Sequence, residues 1–238
     1  MFQLGLRESL RYVCGALDNP WMTAKSLACK AGRVLGTLLA KRVLGNRPVT
    51  LVGYSLGSLV VFEALQYLAS LPPGETIGLV QDIYIFGAPV SVQTSSWTSA
   101  RRVVAGRLVN GYSRNDYVLA ILARLSDVKW NVAGLQPVCV QGVEDVECTD
   151  VDGHLKWQTM VGRSLQLCET PGVVDSEVRK QVETQTEAIE QETDMEMTEQ
   201  AAKRIVERGP DACPSGRFGH LDQEDGGALV MQASGHPP

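Results

Sequence analysis

Gly53-Tyr54-Ser55-Leu56-Gly57 reads G-x-S-x-G. Between a strand and a helix, this pattern raises a serine hydroxyl on a sharp turn. Residues two before and two after the serine are expected to pack together there, which calls for glycine at 53 and 57. The helix N-terminus beneath the hydroxyl favours negative charge. The Leu56 N–H is placed to form one half of an oxyanion hole. This is equipment for acyl transfer. The pentapeptide alone also arises by chance in chains rich in Gly and Ser. Its context here is the run Val49-Thr50-Leu51-Val52 before it and the apolar helical segment from Ser58 to about Ser70 after it.

A serine nucleophile needs a base and an acid, and in an α/β-hydrolase they follow it in the order acid, then histidine. His154, in Asp152-Gly153-His154, is the candidate base; His220 and His236 lie in a polar tail. A lone histidine can equally be a surface or capping residue. Asp116, at the end of Asn110-Gly111-Tyr112-Ser113-Arg114-Asn115-Asp116, is the candidate acid. It is equally suited to cap the helix that follows. Asp127, Asp145, Asp150 and Asp152 compete, though the last two sit very close to His154 in sequence. In this scheme His154 takes the Ser55 proton while the hydroxyl attacks an ester or thioester. Asp116 fixes the imidazole tautomer and stabilises its cation. No metal or organic cofactor is called for.

The elements that must hold these groups alternate. Helices are expected over 4–16 and 23–43, separated by a turn at Asn19-Pro20. Strands follow at 49–52, 83–86 and 107–112, with further strands at 137–141 and 146–150. Helices are expected over 58–70, 117–125 and 154–168. The alternation indicates a mostly parallel sheet covered by helices, with ligands at the carboxyl ends of its strands.

Composition divides the chain. Residues 170–238 hold 14 Asp or Glu against 6 Lys or Arg, and Phe218 is their one aromatic residue. The expectation is a folded body over 1–169 and an acidic, mostly disordered tail over 170–238. A solvated, transient helix is expected over 175–208, with a weak apolar seam at Val178, Val182, Gln185 and Ile189. The formal charge of −5 gives no reason to expect nucleic-acid binding. Six scattered cysteines and three histidines argue against a zinc site and for a reducing compartment. No signal-peptide pattern and no uncharged apolar run of spanning length is present.

Several segments resemble the transmembrane and coiled-coil domain-containing protein 4 family. They are Asp18-Asn19-Pro20-Trp21, Arg47 to Gly57, Phe86-Gly87-Ala88-Pro89-Val90, Val109-Asn110-Gly111-Tyr112 with Asp116, Val132 to Pro137, and Gly153-His154. The resemblance covers roughly residues 15–168. It implies an α/β-hydrolase-like domain and puts Ser55, Asp116 and His154 at triad positions. Its relatives carry membrane-spanning segments, which suggests a membrane setting; this chain itself reads as cytoplasmic or peripheral. The early strands and the loop giving a second oxyanion N–H have no counterpart before residue 49. The expected fold is therefore a partial α/β-hydrolase. Losing one oxyanion donor costs about 10²–10³ in rate. Two functions fit: a serine hydrolase for an ester or lipid-like acyl substrate, or a non-catalytic interaction or trafficking protein that binds a protein partner through the acidic tail or a surface of the body.

Overall fold

The computed structural model describes residues 3–126 and 131–190, together with Gln200 and Lys203. The chain runs α1 (Gln3–Ala40), β1 (Val49–Tyr54), α2 (Leu56–Ala69), α3 (Pro73–Thr76), β2 (Val80–Phe86), α4 (Thr94–Arg102), β3 (Leu108–Tyr112), α5 (Tyr117–Ser126), β4 (Val143–Glu147), α6 (Lys156–Leu167) and α7 (Asp175–Glu190). The strands form one parallel sheet in the order β1-β2-β3-β4. Helices connect each strand to the next, as parallel pairing requires. This is an α/β fold.

Two-residue alternation sorts the strand side chains onto two faces. Ile83 and Ile85 of β2 and Leu108 of β3 join a core with α1, α2 and Trp97 of α4. Tyr84, Phe86 and Val109 face the opposite way, onto Trp157 of α6. All of these side chains are buried completely. A strand buried on both faces reads as a nearly continuous apolar run, as Ile83-Tyr84-Ile85-Phe86 does. β1 differs because it pairs on one side only. Thr50, Val52 and Tyr54 are exposed, whereas Val49 and Leu51 pack against the first core.

α1 lies along α2 through small residues. A Cβ on Gly32 would sit 2.5 Å from Glu63 Cβ and 2.6 Å from the Val60 carbonyl oxygen, so the two helices meet backbone to backbone. The length of α1 also corrects the turn expected at Asn19-Pro20. α1 is one helix with Pro20 inside it. Proline removes a single backbone bond from the ladder, and the turns on either side continue across it.

The strand expected at 137–141 is a loop instead. The Asp145 carboxylate accepts the Val138 and Cys139 N–H groups, each at 2.9 Å, so these amides are unavailable to a neighbouring strand. The last strand lies at Val143–Glu147, ahead of the expected 146–150, because its register on β3 pairs Leu108 with Val143 and Tyr112 with Glu147. α4 lay in a stretch without a clear periodic signal. In the acidic extension, α7 is not wholly solvated. Val178 is buried against α6, close to Gly162. The remainder of the helix expected to residue 208 extends beyond the residues described in continuous run. Among the described residues, no helix is long and apolar enough to cross a membrane.

Candidate active site

The site sits at the carboxyl ends of the strands. Ser55 occupies the turn between β1 and α2 with φ 51° and ψ −128°. A non-glycine residue with positive φ stores about 1–3 kcal/mol of strain, and the surroundings must hold it there. Three contacts do so. The Ser55 N–H donates to the Phe86 carbonyl at 3.0 Å, and the Ser58 N–H donates to the Ser55 carbonyl at 3.0 Å. The Ser58 hydroxyl lies 2.8 Å from the Gly53 carbonyl oxygen and 2.9 Å from that of Phe86, and accepts the Phe86 N–H at 3.1 Å. Ser58 therefore ties β1 to β2 directly under the elbow. Its one hydroxyl proton serves one carbonyl at a time.

The two elbow glycines are not equivalent. A Cβ on Gly53 would come within 2.8 Å of the Gly57 backbone, whereas a Cβ on Gly57 would meet nothing within 4 Å. The expectation that both positions must be small holds for Gly53 alone. The crowding is between the Gly53 Cα and the main chain of residue 57, so the side chain at 57 takes no part. The Leu56 N–H opens α2 and, as a first-turn amide, has no acceptor within the helix.

Asp116 caps α5 and reaches across the site. Its Oδ1 accepts the Leu119 N–H at 2.9 Å. Its Oδ2 accepts His154 Nδ1–H at 2.8 Å and Trp157 Nε1–H at 2.9 Å. The cap of α5 and the partner of His154 are thus the same carboxyl group, one oxygen for each task. Asp116 is fully buried. A carboxylate accepts only, so the Nδ1 of His154 must carry the proton. That leaves Nε2 as the acceptor for the Ser55 hydroxyl, 2.6 Å away. The structure thereby brings Ser55, His154 and Asp116 into one hydrogen-bonded row.

His154 lies on the loop between β4 and α6. That loop is tied to the Asp116 loop at two points. The Cys148 N–H donates to the Tyr112 carbonyl at 2.8 Å, and the Ser113 hydroxyl donates to the Val151 carbonyl at 2.5 Å. The competing acids are engaged elsewhere. Asp145 holds the 138–139 loop and Asn110, Asp150 pairs with Arg163, and Asp152 pairs with Lys156. Asp127, His220 and His236 lie outside the described residues. Ser58, Ser113 and Trp157 are the supporting residues that sequence reasoning missed. Trp157, three residues past His154 at the start of a helix, carried the one faint signal.

Two buried thiols are unreactive. Burial pushes the Cys148 pKa up to about 11 and that of Cys168 up to about 12. Both stay protonated near neutrality, and the thiol form is a poor nucleophile. Among the described residues, no cluster of His, Cys, Asp and Glu could hold a metal ion.

Residues 7–170, more than half of the chain, match the family described as "Protein of unknown function (DUF726)". The chain belongs to this family. The rice transmembrane and coiled-coil domain-containing protein STS1 (Oryza sativa subsp. japonica) is 43% identical over 154 residues, 64% of this chain and 23% of that protein. The uncharacterized membrane protein C6F6.13c of Schizosaccharomyces pombe is 41% identical over 145 residues, 60% of this chain and 18% of that protein. The probable lipase MIL1 of Saccharomyces cerevisiae is 39% identical over 153 residues, 63% of this chain and 14% of that protein. This DUF726 chain thus spans less than a quarter of the length of these relatives. No solved structure matches it.

Two substitution experiments follow from the geometry. Gly57→Ala should leave urea stability within about 0.5 kcal/mol, whereas Gly53→Ala should lower it by about 1–3 kcal/mol through overpacking. Equal effects would contradict the asymmetry of the elbow. Trp157→Phe keeps the ring packing but removes a donor from a buried carboxylate, at about 1–3 kcal/mol. An unchanged urea midpoint would mean that the indole bond contributes nothing.

Proposed function

We propose that this DUF726 domain is a serine hydrolase acting on an ester, with Ser55 as nucleophile, His154 as general base and acid, and Asp116 as the residue that orients the imidazole. The observation that carries this reading is the row itself: Ser55 Oγ lies 2.6 Å from His154 Nε2, and His154 Nδ1 lies 2.8 Å from the buried Asp116 carboxylate. Both distances lie within the reach that general-base catalysis needs.

His154 takes the proton as Ser55 Oγ forms a bond to the acyl carbon. The developing oxyanion faces the Leu56 N–H. The bond to the alcohol oxygen then breaks, and His154 returns the proton to that leaving group. Water next attacks the acyl-enzyme, giving up its proton to His154. The carboxylic acid departs and the serine is restored. Gly53 permits the turn, and Gly57 stands in open space beside it.

A lipid-like substrate is supported by the relative named a probable lipase. A membrane setting is supported by the relatives named as membrane proteins. The finer likeness to the transmembrane and coiled-coil domain-containing protein 4 family belongs to the same reading. A second reading is a non-catalytic interaction protein on a hydrolase-like fold. The open side of β1, with Val52 and Tyr54 exposed, favours it, and the acidic extension would be its protein-binding arm.

Hydrolysis of p-nitrophenyl acetate by the full chain decides between the two readings. The hydrolase reading expects saturable turnover that falls about 10³-fold or more in both Ser55→Ala and His154→Ala. Equal rates in wild type and Ser55→Ala would overturn it.

A further inference from the structure

A second concave feature lies at the same end of the sheet as the Ser55 row. It is a cavity of about 440 Å³ between α1, the start of α4, α5 and the 131–132 segment. That volume falls in the range of small-molecule sites, roughly 300–1,000 Å³. Its lining is segregated. Pro89, Leu122, Ala123 and Val132 are buried and form an apolar floor. Ser91, Gln93, Thr94 and Asn131 are exposed and form a polar rim. Trp21, Lys25 and Val92 are half-buried between the two. Among the described residues of the lining, Lys25 is the one that is charged, and none of the ion pairs among the described residues uses it.

The cavity and the nucleophile share a piece of backbone. The Phe86 carbonyl accepts the Ser55 N–H, and the chain then passes through Gly87 and Ala88 to Pro89 on the cavity floor. Three residues span at most about 10 Å. Pro89 on the floor therefore lies no more than about 10 Å along the chain from the residue that holds the Ser55 N–H, a length that an alkyl chain can bridge. An apolar floor, a polar rim and one cation together select an amphiphile with a negative head.

We propose that this cavity is the chain-binding subsite of the Ser55 centre and that it takes a single-chain lipid ester whose anionic head, phosphate or carboxylate, pairs with Lys25. This rests on the hydrolase reading for its link to Ser55 but not for the binding itself. An alkyl chain buries about one methylene at a time against Pro89, Leu122 and Val132, and Lys25 excludes cationic heads.

Binding is measured on the full-length Ser55→Ala chain by calorimetry, with decyl phosphate, decanoate and decyltrimethylammonium below their micelle concentrations. Both anions should bind, and the cation at least tenfold more weakly. Lys25→Glu should weaken the anions at least tenfold, and a preference between phosphate and carboxylate identifies the head. Equal binding of anion and cation, or anion binding indifferent to Lys25→Glu, overturns the proposal. In the otherwise wild-type chain, kcat/KM for p-nitrophenyl esters should rise about threefold per added methylene, the scale of transferring one methylene from water. Val92→Trp, which narrows the cavity, should lower decanoate turnover at least tenfold while acetate stays within twofold. Equal loss on both esters overturns the subsite. Turnover independent of Ser55 would sink the hydrolase reading instead, and the calorimetry would still judge the cavity.

Discussion

A carboxylate with no surface exposed to water must have its charge met inside the protein. Asp116 is such a group, and meeting its charge organises much of the domain. One oxygen is answered by the first turn of α5 and the other by His154 and by the Trp157 indole of α6. Two distant stretches of chain, 116–119 and 154–157, are thereby fixed to one point. The tautomer of His154 follows from that same requirement, and with it the direction of the hydrogen bond to Ser55. Removing any one donor would leave charge uncompensated, so the carboxylate enforces the geometry as well as using it.

The elbow is the complementary constraint. Ser55 is held at a positive φ that it would not adopt unaided. The Phe86 carbonyl of β2 and the Ser58 hydroxyl of the first turn of α2 hold it there. β2 thus supports Ser55 through its backbone while its side chains fill both cores. Trp157 joins the two constraints. It donates to Asp116 and stacks on Phe86, with ring centroids 5.9 Å apart. The buried acid and the strained serine therefore lean on a common aromatic pair.

The legible parts of this arrangement were those governed by local stereochemistry. Gly53 is readable because only a missing Cβ lets the main chain of residue 57 approach. The strand at 83–86 is readable because burial on both faces favours an unbroken apolar run, whereas that at 107–112 is announced only by Leu108-Val109 and the turn residues after it. Ser55, Asp116 and His154 were singled out by chain order and loop context, and the structure sets them side by side. Ser58, Ser113 and Trp157 were not legible. Each acts through a tertiary hydrogen bond, and only Trp157, three residues past His154, left even a faint trace in the spacing of the chain. The turn expected at Asn19-Pro20 failed for the opposite reason. A strong local breaker cost one backbone bond and did not end a helix that continues on both sides of it. Likewise the residues around 137–141 have strand-like composition, yet the Asp145 carboxylate claims two of their amides. Val178 shows the same limit in the acidic extension, where a weak seam found a partner on α6.

The central claim is that His154, held by Asp116, makes Ser55 more nucleophilic than any other serine in the chain. The most direct measurement is covalent labelling by a fluorophosphonate, followed by peptide mapping in the mass spectrometer. The account predicts a single adduct, on Ser55, whose rate of formation collapses in His154→Ala. An adduct spread over several serines, or one on Ser55 that forms equally fast without His154, would contradict it.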